Sequence, residues 1–201
     1  MKNSSRGNLN MIIFIMGFII FFGIHSISLF SRPLRDRLLA RIGESKWKGY
    51  FTLLAILGLT LLVMGYVEVR KTPTFVYHLP DWFRSLVWIL MLPVFPLLIL
   101  AYLPGTFREM IPHPMVTSII LWSGSHLLVN GTLGDIILFG MFFIWSIGIY
   151  ISMVKHPRDG GLKQPVSLQM KYDLIAMVTG LILYFSYFLW LHEMIIGMRV
   201  H

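Results

Sequence analysis

Long apolar runs separated by short polar stretches organise this chain. Apolar side chains dominate residues 11–30, 50–68, 86–103, 115–129, 132–154 and 174–197. Runs near 20 residues with few charges match the length a helix needs to cross the hydrocarbon core of a bilayer. The fourth run has only about 15 apolar residues, below the usual lower limit of roughly 17 for a straight crossing. It needs part of "REMIPHP" to extend it, or it enters as a tilted or re-entrant half-span. The pattern predicts an all-α polytopic transmembrane helix bundle in one domain over residues 1–201. It has six membrane helices, or five if the fourth run does not cross.

The connections fit separate helices. "SRPLRDRLLARIGESKWKG" (31–49) is basic and reads as an amphipathic turn at the membrane surface. "EVRKTPTFVYHLPDWFR" (68–84) contains Tyr77 and Trp82, residue types favoured at the lipid–water boundary. "NGTLGD" (130–135) is a tight turn by its Asn-Gly and second Gly. "KHPRDGGLKQPVSLQMKYD" (155–173) is the longest polar loop.

Composition agrees with lipid as the solvent. The chain is 56% hydrophobic and 13% charged, whereas a soluble domain carries about 25% charged residues. It has no cysteine, which excludes disulfides, zinc–thiolate sites, Fe–S clusters, thiolate-ligated haem and C-x-x-C-H haem attachment. The basic start before "MIIFIMGFIIFFGIHSISLF" resembles a signal peptide, but the apolar run is too long and lacks an A-x-A-like site. It reads as a retained first helix.

Formal charge is +8, and topology accounts for it. With six crossings, the first, third and fifth loops hold Arg32, Arg35, Arg37, Arg41, Lys46, Lys48, Arg108, Lys155, Arg158, Lys163 and Lys171, which is eleven of the 17 basic residues. The positive-inside rule then makes loops 31–49 and 155–173 cytoplasmic and leaves both termini outside; a five-span chain moves the C-terminus inside. Anionic lipid absorbs the excess charge, and nucleic acid is not an expected partner.

Three histidines, His25, His126 and His192, fall inside apolar runs. Polar groups in hydrocarbon need partners and face a bundle interior or cavity. Each has an aromatic four residues earlier, Phe21, Trp122 and Phe188, on its own helical face. Ser123 and Asn130 are placed to orient the second ring nitrogen of His126, as a ligating imidazole requires. Gly23 and Gly124 permit close approach of a helix or a flat ring. Inward imidazoles with aromatic and small neighbours form a reasonable haem b site; the alternative is neutral histidines hydrogen-bonded between helices. Depth along straight helices separates His25 from His126 by on the order of 10 Å and sets His126 level with His192, so it prefers that second pair. His113, between two prolines in "IPHPM", suits a capping, interfacial or functional role equally. His78 and His156 lie in polar loops and His201 is terminal.

Other constellations fail. "HEMIIG" (192–197) lacks the second His of a metalloprotease motif, and "NGT" (130–132) at a helix end is a chance glycosylation match. There is no phosphate-binding glycine loop, no G-x-S-x-G and no paired intramembrane carboxylates. Glu68 and Glu193 sit near helix ends, within reach of water.

"GFIIFFGIHSIS" (17–28), "RIGESKWKGYFTLLAILGLTLLVMGY" (41–66), "PHPMVTSIILWSGSHLLVNGTLGDIILFG" (112–140) and "LHEMIIG" (191–197) resemble, in order, the motifs of the NnrU-like family of bacterial membrane proteins. The resemblance covers most of the chain. It implies an accessory protein of the bacterial inner membrane associated with nitrite and nitric oxide metabolism. A related domain forms the plastid zeta-carotene isomerase, a haem b protein. That relation implies His25 and His126 as haem ligands, a pairing preferred here over the one from helix depth. The relative carries Cys where this chain has Ser123, which excludes a Cys-dependent ligand exchange, and the family's usual Arg before His-Pro is Pro112.

Three functions follow. One is a haem b protein with a redox or isomerase-like role, using His25, His126, His192, His113, Trp122 and Asn130 toward the cofactor and a lipid-soluble small molecule. Another is a non-catalytic assembly factor for a nitrogen-oxide reductase complex, its histidines structural. The third is a transporter or proton-conducting protein, on the broken-helix signal "MLPVFP" (91–96).

Overall fold

The computed structural model describes residues 2–30, 32–155 and 166–196, which form two compact units, Met1–Thr74 and Phe75–His201. Five of the described helical segments are long and apolar enough to cross a membrane: Leu9–Ile27, Glu44–Val69, Trp82–Leu100, Leu133–Lys155 and Met170–Met194. The 16-residue helix Pro114–Val129 is apolar but shorter. The all-α multi-pass architecture of five or six helices is therefore present.

In the first unit, α1 (Lys2–Phe30) and α3 (Glu44–Val69) pack side by side, joined by α2 (Arg32–Ile42). The expected amphipathic turn is thus an 11-residue helix. Apolar contact with a neighbour gains little over contact with lipid, so membrane helices associate through close backbone packing at small residues. Here a methyl on Gly17 would lie 2.5 Å from the Leu62 nitrogen, and one on Gly65 would lie 2.5 Å from Phe14 Cα. Ile12, Ile15, Ile19, Leu53 and Ile56 point outward, as lipid-facing positions do.

In the second unit, the third predicted span is broken. α4 (Trp82–Met91) ends at Leu92–Pro93 and α5 (Val94–Leu100) continues, because Pro93 lacks an N–H and its ring crowds the preceding turn. α6 (Thr106–Met110) is a short helix, α7 spans Pro114–Val129 and α8 spans Leu133–Lys155. α9 (Val166–Ser186) passes through a π-helical turn, Tyr187–Leu191, into α10 (His192–Ile196). The polar loop expected over 155–173 is therefore helical from Val166; its residues 156–165, with His156, lie outside the described residues, as do Gly197 and His201. α7 packs on α8, and α4 and α5 both pack on α7. α9 packs on α5 around Leu97, Leu100 and Ala176.

Two carboxylates hold this unit's turns. Thr132 and Asp135 form a reciprocal cap at the start of α8: the Thr132 N–H and hydroxyl donate to Asp135 Oδ2 at 3.2 and 2.6 Å, and the Asp135 N–H donates to Thr132 Oγ1 at 3.3 Å. Asp173 of α9 accepts from the Thr106 and Phe107 N–H groups at 2.9 and 3.1 Å, fixing α6.

Candidate functional site

His126 answers its own solvation problem locally. A carbonyl only accepts, so the 2.8 Å contact of Nδ1 with the Trp122 carbonyl means that Nδ1 carries the proton and donates it. In the neutral ring the lone pair is then on Nε2. This tautomer, with Nδ1–H held by a backbone carbonyl, is the one that second-shell partners impose on metal-ligating imidazoles. The ring plane is set by Phe139 of α8, stacked at 4.5 Å and 28°, and by Trp122 at 5.2 Å, itself wedged edge-on against Phe139 and Phe142. Trp122 therefore supplies both a carbonyl and a wall.

The orienting partners expected from sequence have other tasks. Ser123 donates to the Ile119 carbonyl at 2.6 Å, the usual resort of a hydroxyl inside an apolar helix. Asn130 Nδ2 donates to the backbone carbonyl of His126 at 3.1 Å rather than to its ring. Asn130 ends α7, and a methyl on Gly131 would overlap the Tyr77 carbonyl oxygen. Residues 75–77 can lie on this turn only because residue 131 is glycine, and the Val76 N–H donates to the Gly131 carbonyl at 2.8 Å. Tyr77, expected as an interfacial anchor, donates its hydroxyl to the Leu127 carbonyl and lies 3.2 Å from that of Asn130. It caps the end of the helix that carries His126. Burial, and then the negative charge of Asp135, push its pKa upward.

His126 opens onto a cavity of about 170 Å³ that also takes in His192, Asn130 and Arg84, between aromatic side chains of α4, α5 and the α9–α10 segment. Arg84, Val87, Trp88 and Met91 line it from α4 at the i, i+3, i+4, i+7 spacing of one helical face. Opposite them stand Tyr184, Tyr187 and Phe188. A regular α-helix would next bring Leu191 to that face. The π turn, in which the His192 N–H donates to the Tyr187 carbonyl five residues back, inserts one extra residue and delivers His192 instead. Leu191 is turned outward, 36% exposed. The same shift corrects the expected ring neighbour of His192: Tyr187 meets it edge-on at 5.7 Å, while Phe188 packs on Tyr184 and Trp88. π turns of this kind recur at functional sites.

His25, in the other unit, repeats the local arrangement of His126. Its Nδ1 donates to the Phe21 carbonyl at 2.7 Å, with the Phe21 and Phe51 rings at 4.3 and 5.1 Å. Two residues before it, a methyl on Gly23 would meet nothing within 4 Å, whereas at Gly124, two residues before His126, it would meet Phe143 of α8 at 3.1 Å. His113 is not among the residues lining the cavity. It precedes Pro114 at the start of α7 with φ 52° and ψ 63°, among the described residues the one non-glycine in the left-handed region, and its ring faces Tyr150 edge-on at 6.3 Å. His78 is exposed and stacks on Phe75 at 4.7 Å. Among the described residues no three His, Asp or Glu side chains cluster as a metal-ion site.

A family model described as NnrU protein matches residues 13–200. The chain belongs to the NnrU family. No curated protein and no solved structure matches it. The family match runs from within α1 past the end of α10, so it takes in His25, His113, His126 and His192 and every cavity-lining residue. Sequence reasoning missed Arg84 and Asp135, and gave Tyr77 an interfacial role rather than its capping one. The Thr-x-x-Asp pattern at 132–135 was a legible signal for Asp135, and the one-face spacing on α4 was a signal for Arg84. Nothing local marks Tyr77 as a cap for a helix some 50 residues away in sequence.

Proposed function

We propose that this NnrU-family membrane protein binds haem b with His126 as an axial ligand. The observation that carries the reading is the Nδ1–H donation of His126 to the Trp122 carbonyl, which puts the lone pair on Nε2 in a ring that borders a cavity holding a second imidazole. The donor set fits an iron porphyrin: two imidazoles and aromatic walls, with no thiolate. The volume fits only in part. About 170 Å³ is below the roughly 300–1,000 Å³ of common ligand pockets, so the cavity encloses part of a flat macrocycle rather than all of it.

His126 would contribute the ligating nitrogen, Trp122 and Phe139 hold its plane, and Tyr184, Tyr187 and Phe188 wall the cavity. A bound haem would supply a redox-active iron, in keeping with a redox or isomerase-like role in nitrite and nitric oxide metabolism. The second ligand has two candidates. His25 is implied by the resemblance and has the same tautomer in its own helix; His192 lines the same cavity as His126.

The test is an oxidised and dithionite-reduced absorption spectrum of the purified protein beside His25→Ala, His126→Ala and His192→Ala. A sharp low-spin b-type spectrum lost in His126→Ala is expected, and the other variant that loses it names the second ligand. A colourless protein after haem supplementation, or an unchanged His126→Ala spectrum, refutes the proposal. One observation favours a second reading, an assembly factor for a nitrogen-oxide reductase complex: donation back to the own helix at both His25 and His126 also serves imidazoles that are purely structural. That reading expects no chromophore and co-purification with the reductase.

A further inference from the structure

The cavity beside His126 mixes aromatic and apolar walls with the polar groups of His126, Asn130, His192 and two tyrosines, and Arg84 is the one formally charged side chain among its lining residues. Its place is not interior. Arg84 is in the first turn of α4, at the start of the candidate span Trp82–Leu100, with its side chain 62% exposed. Its pairing with Asp81 is loose, Nε to Oδ1 3.8 Å, and Asp81 is itself 95% exposed. A second, smaller polar cavity, of about 80 Å³, also has Arg84 in its wall, together with His78 and Asp81 from the loop before α4. Arg84 thus stands where the aromatic cavity meets a polar vestibule. A ligand suited to both sides has a flat apolar body and an anionic edge. We propose that Arg84 is the recognition residue for a carboxylate on the ligand of the His126 cavity, which under the haem reading is a propionate.

The inference rests on that reading and adds to it a direction: the carboxylate edge of the ring points to the α4 end of the cavity. The guanidinium is the suitable group, since its planar fork matches a carboxylate and stays charged at any working pH. Its exposure limits the effect to that of a surface ion pair, so removing the pair weakens binding by up to about fivefold.

The experiment uses the full chain in detergent, stripped of cofactor and titrated with haem b and with its dimethyl ester, in which both carboxylates are capped. Affinity is read from the absorption change and the midpoint potential from a reductive titration. The chain with Arg84 is expected to bind haem b several-fold more tightly than the ester. Arg84→Gln binds the two forms alike, at the level of the ester, and Arg84→Lys recovers part of the preference. Loss of the guanidinium also lowers the midpoint potential, because a nearby cation favours the reduced iron. Circular dichroism on each variant separates misfolding from lost recognition. Equal affinity of the unaltered chain for haem b and its ester overturns the assignment, as does an ester penalty that persists undiminished in Arg84→Gln. Uptake of neither form refutes the haem reading itself and this assignment with it.

Discussion

Tyr77→Phe removes one oxygen from the helix end that carries the candidate ligand. The Tyr77 hydroxyl donates to the Leu127 carbonyl and lies near that of Asn130, acceptors at the end of α7 where no further helical turn follows. A net hydrogen bond is worth about 0.5–1.5 kcal/mol, and a buried acceptor left without its donor costs about 1–3 kcal/mol. Both carbonyls are only partly buried, so the expected loss is about 1–2 kcal/mol. The phenyl ring keeps its volume, so no packing term adds to this. Reversible unfolding of the protein in mixed micelles reads the difference.

The pH dependence gives an independent signature. Burial and then the Asp135 charge raise the Tyr77 pKa above its ordinary value, about 10. Below that value the phenol is neutral in both folded and unfolded chains, and its contribution is fully present. As pH rises through about 10 the unfolded phenol ionises first, so the contribution declines with increasing pH. The stability gap between Tyr77 and Tyr77→Phe should therefore be constant from pH 6 to 9 and narrow above 10. A variant as stable as the parent at pH 7, or a gap that widens in alkali, would refute the reasoning.

Two further substitutions probe the same unit. The Ser125 hydroxyl is buried with no hydrogen-bond partner, so Ser125→Ala is expected to raise stability by about 1 kcal/mol, and a fall in thermal midpoint would show that the hydroxyl has a use. His113 holds a left-handed conformation that costs an ordinary residue about 1–2 kcal/mol; His113→Gly should therefore be more stable than His113→Ala by about 1 kcal/mol, and equal midpoints for the two would remove strain as a feature of that turn.

The helical, membrane-spanning character of the chain follows from local pattern alone, because a 20-residue apolar run must satisfy its backbone internally wherever it inserts. The interruption at Pro93 and the turn at 130–135 are equally local, being properties of proline, of Asn-Gly and of a Thr-x-x-Asp cap. His126 was legible as a polar group needing a partner, and Trp122 as its neighbour one turn back. The identity of that partner was not, since Ser123, Asn130 and the Trp122 carbonyl all lay within reach and geometry chose the carbonyl. The surroundings of His192 were legible least of all. A single extra residue in the turn Tyr187–Leu191 rotates everything after it, turning Leu191 outward and His192 into the cavity. Periodicity assumes one constant turn angle, so it cannot anticipate such a step. Membership of the cavity was likewise decided by packing: Arg84, His126 and His192 are brought together by helices far apart in the chain. Their meeting depends on how closely α4, α7 and the α9–α10 segment approach, a property of side chains in contact rather than of any one segment.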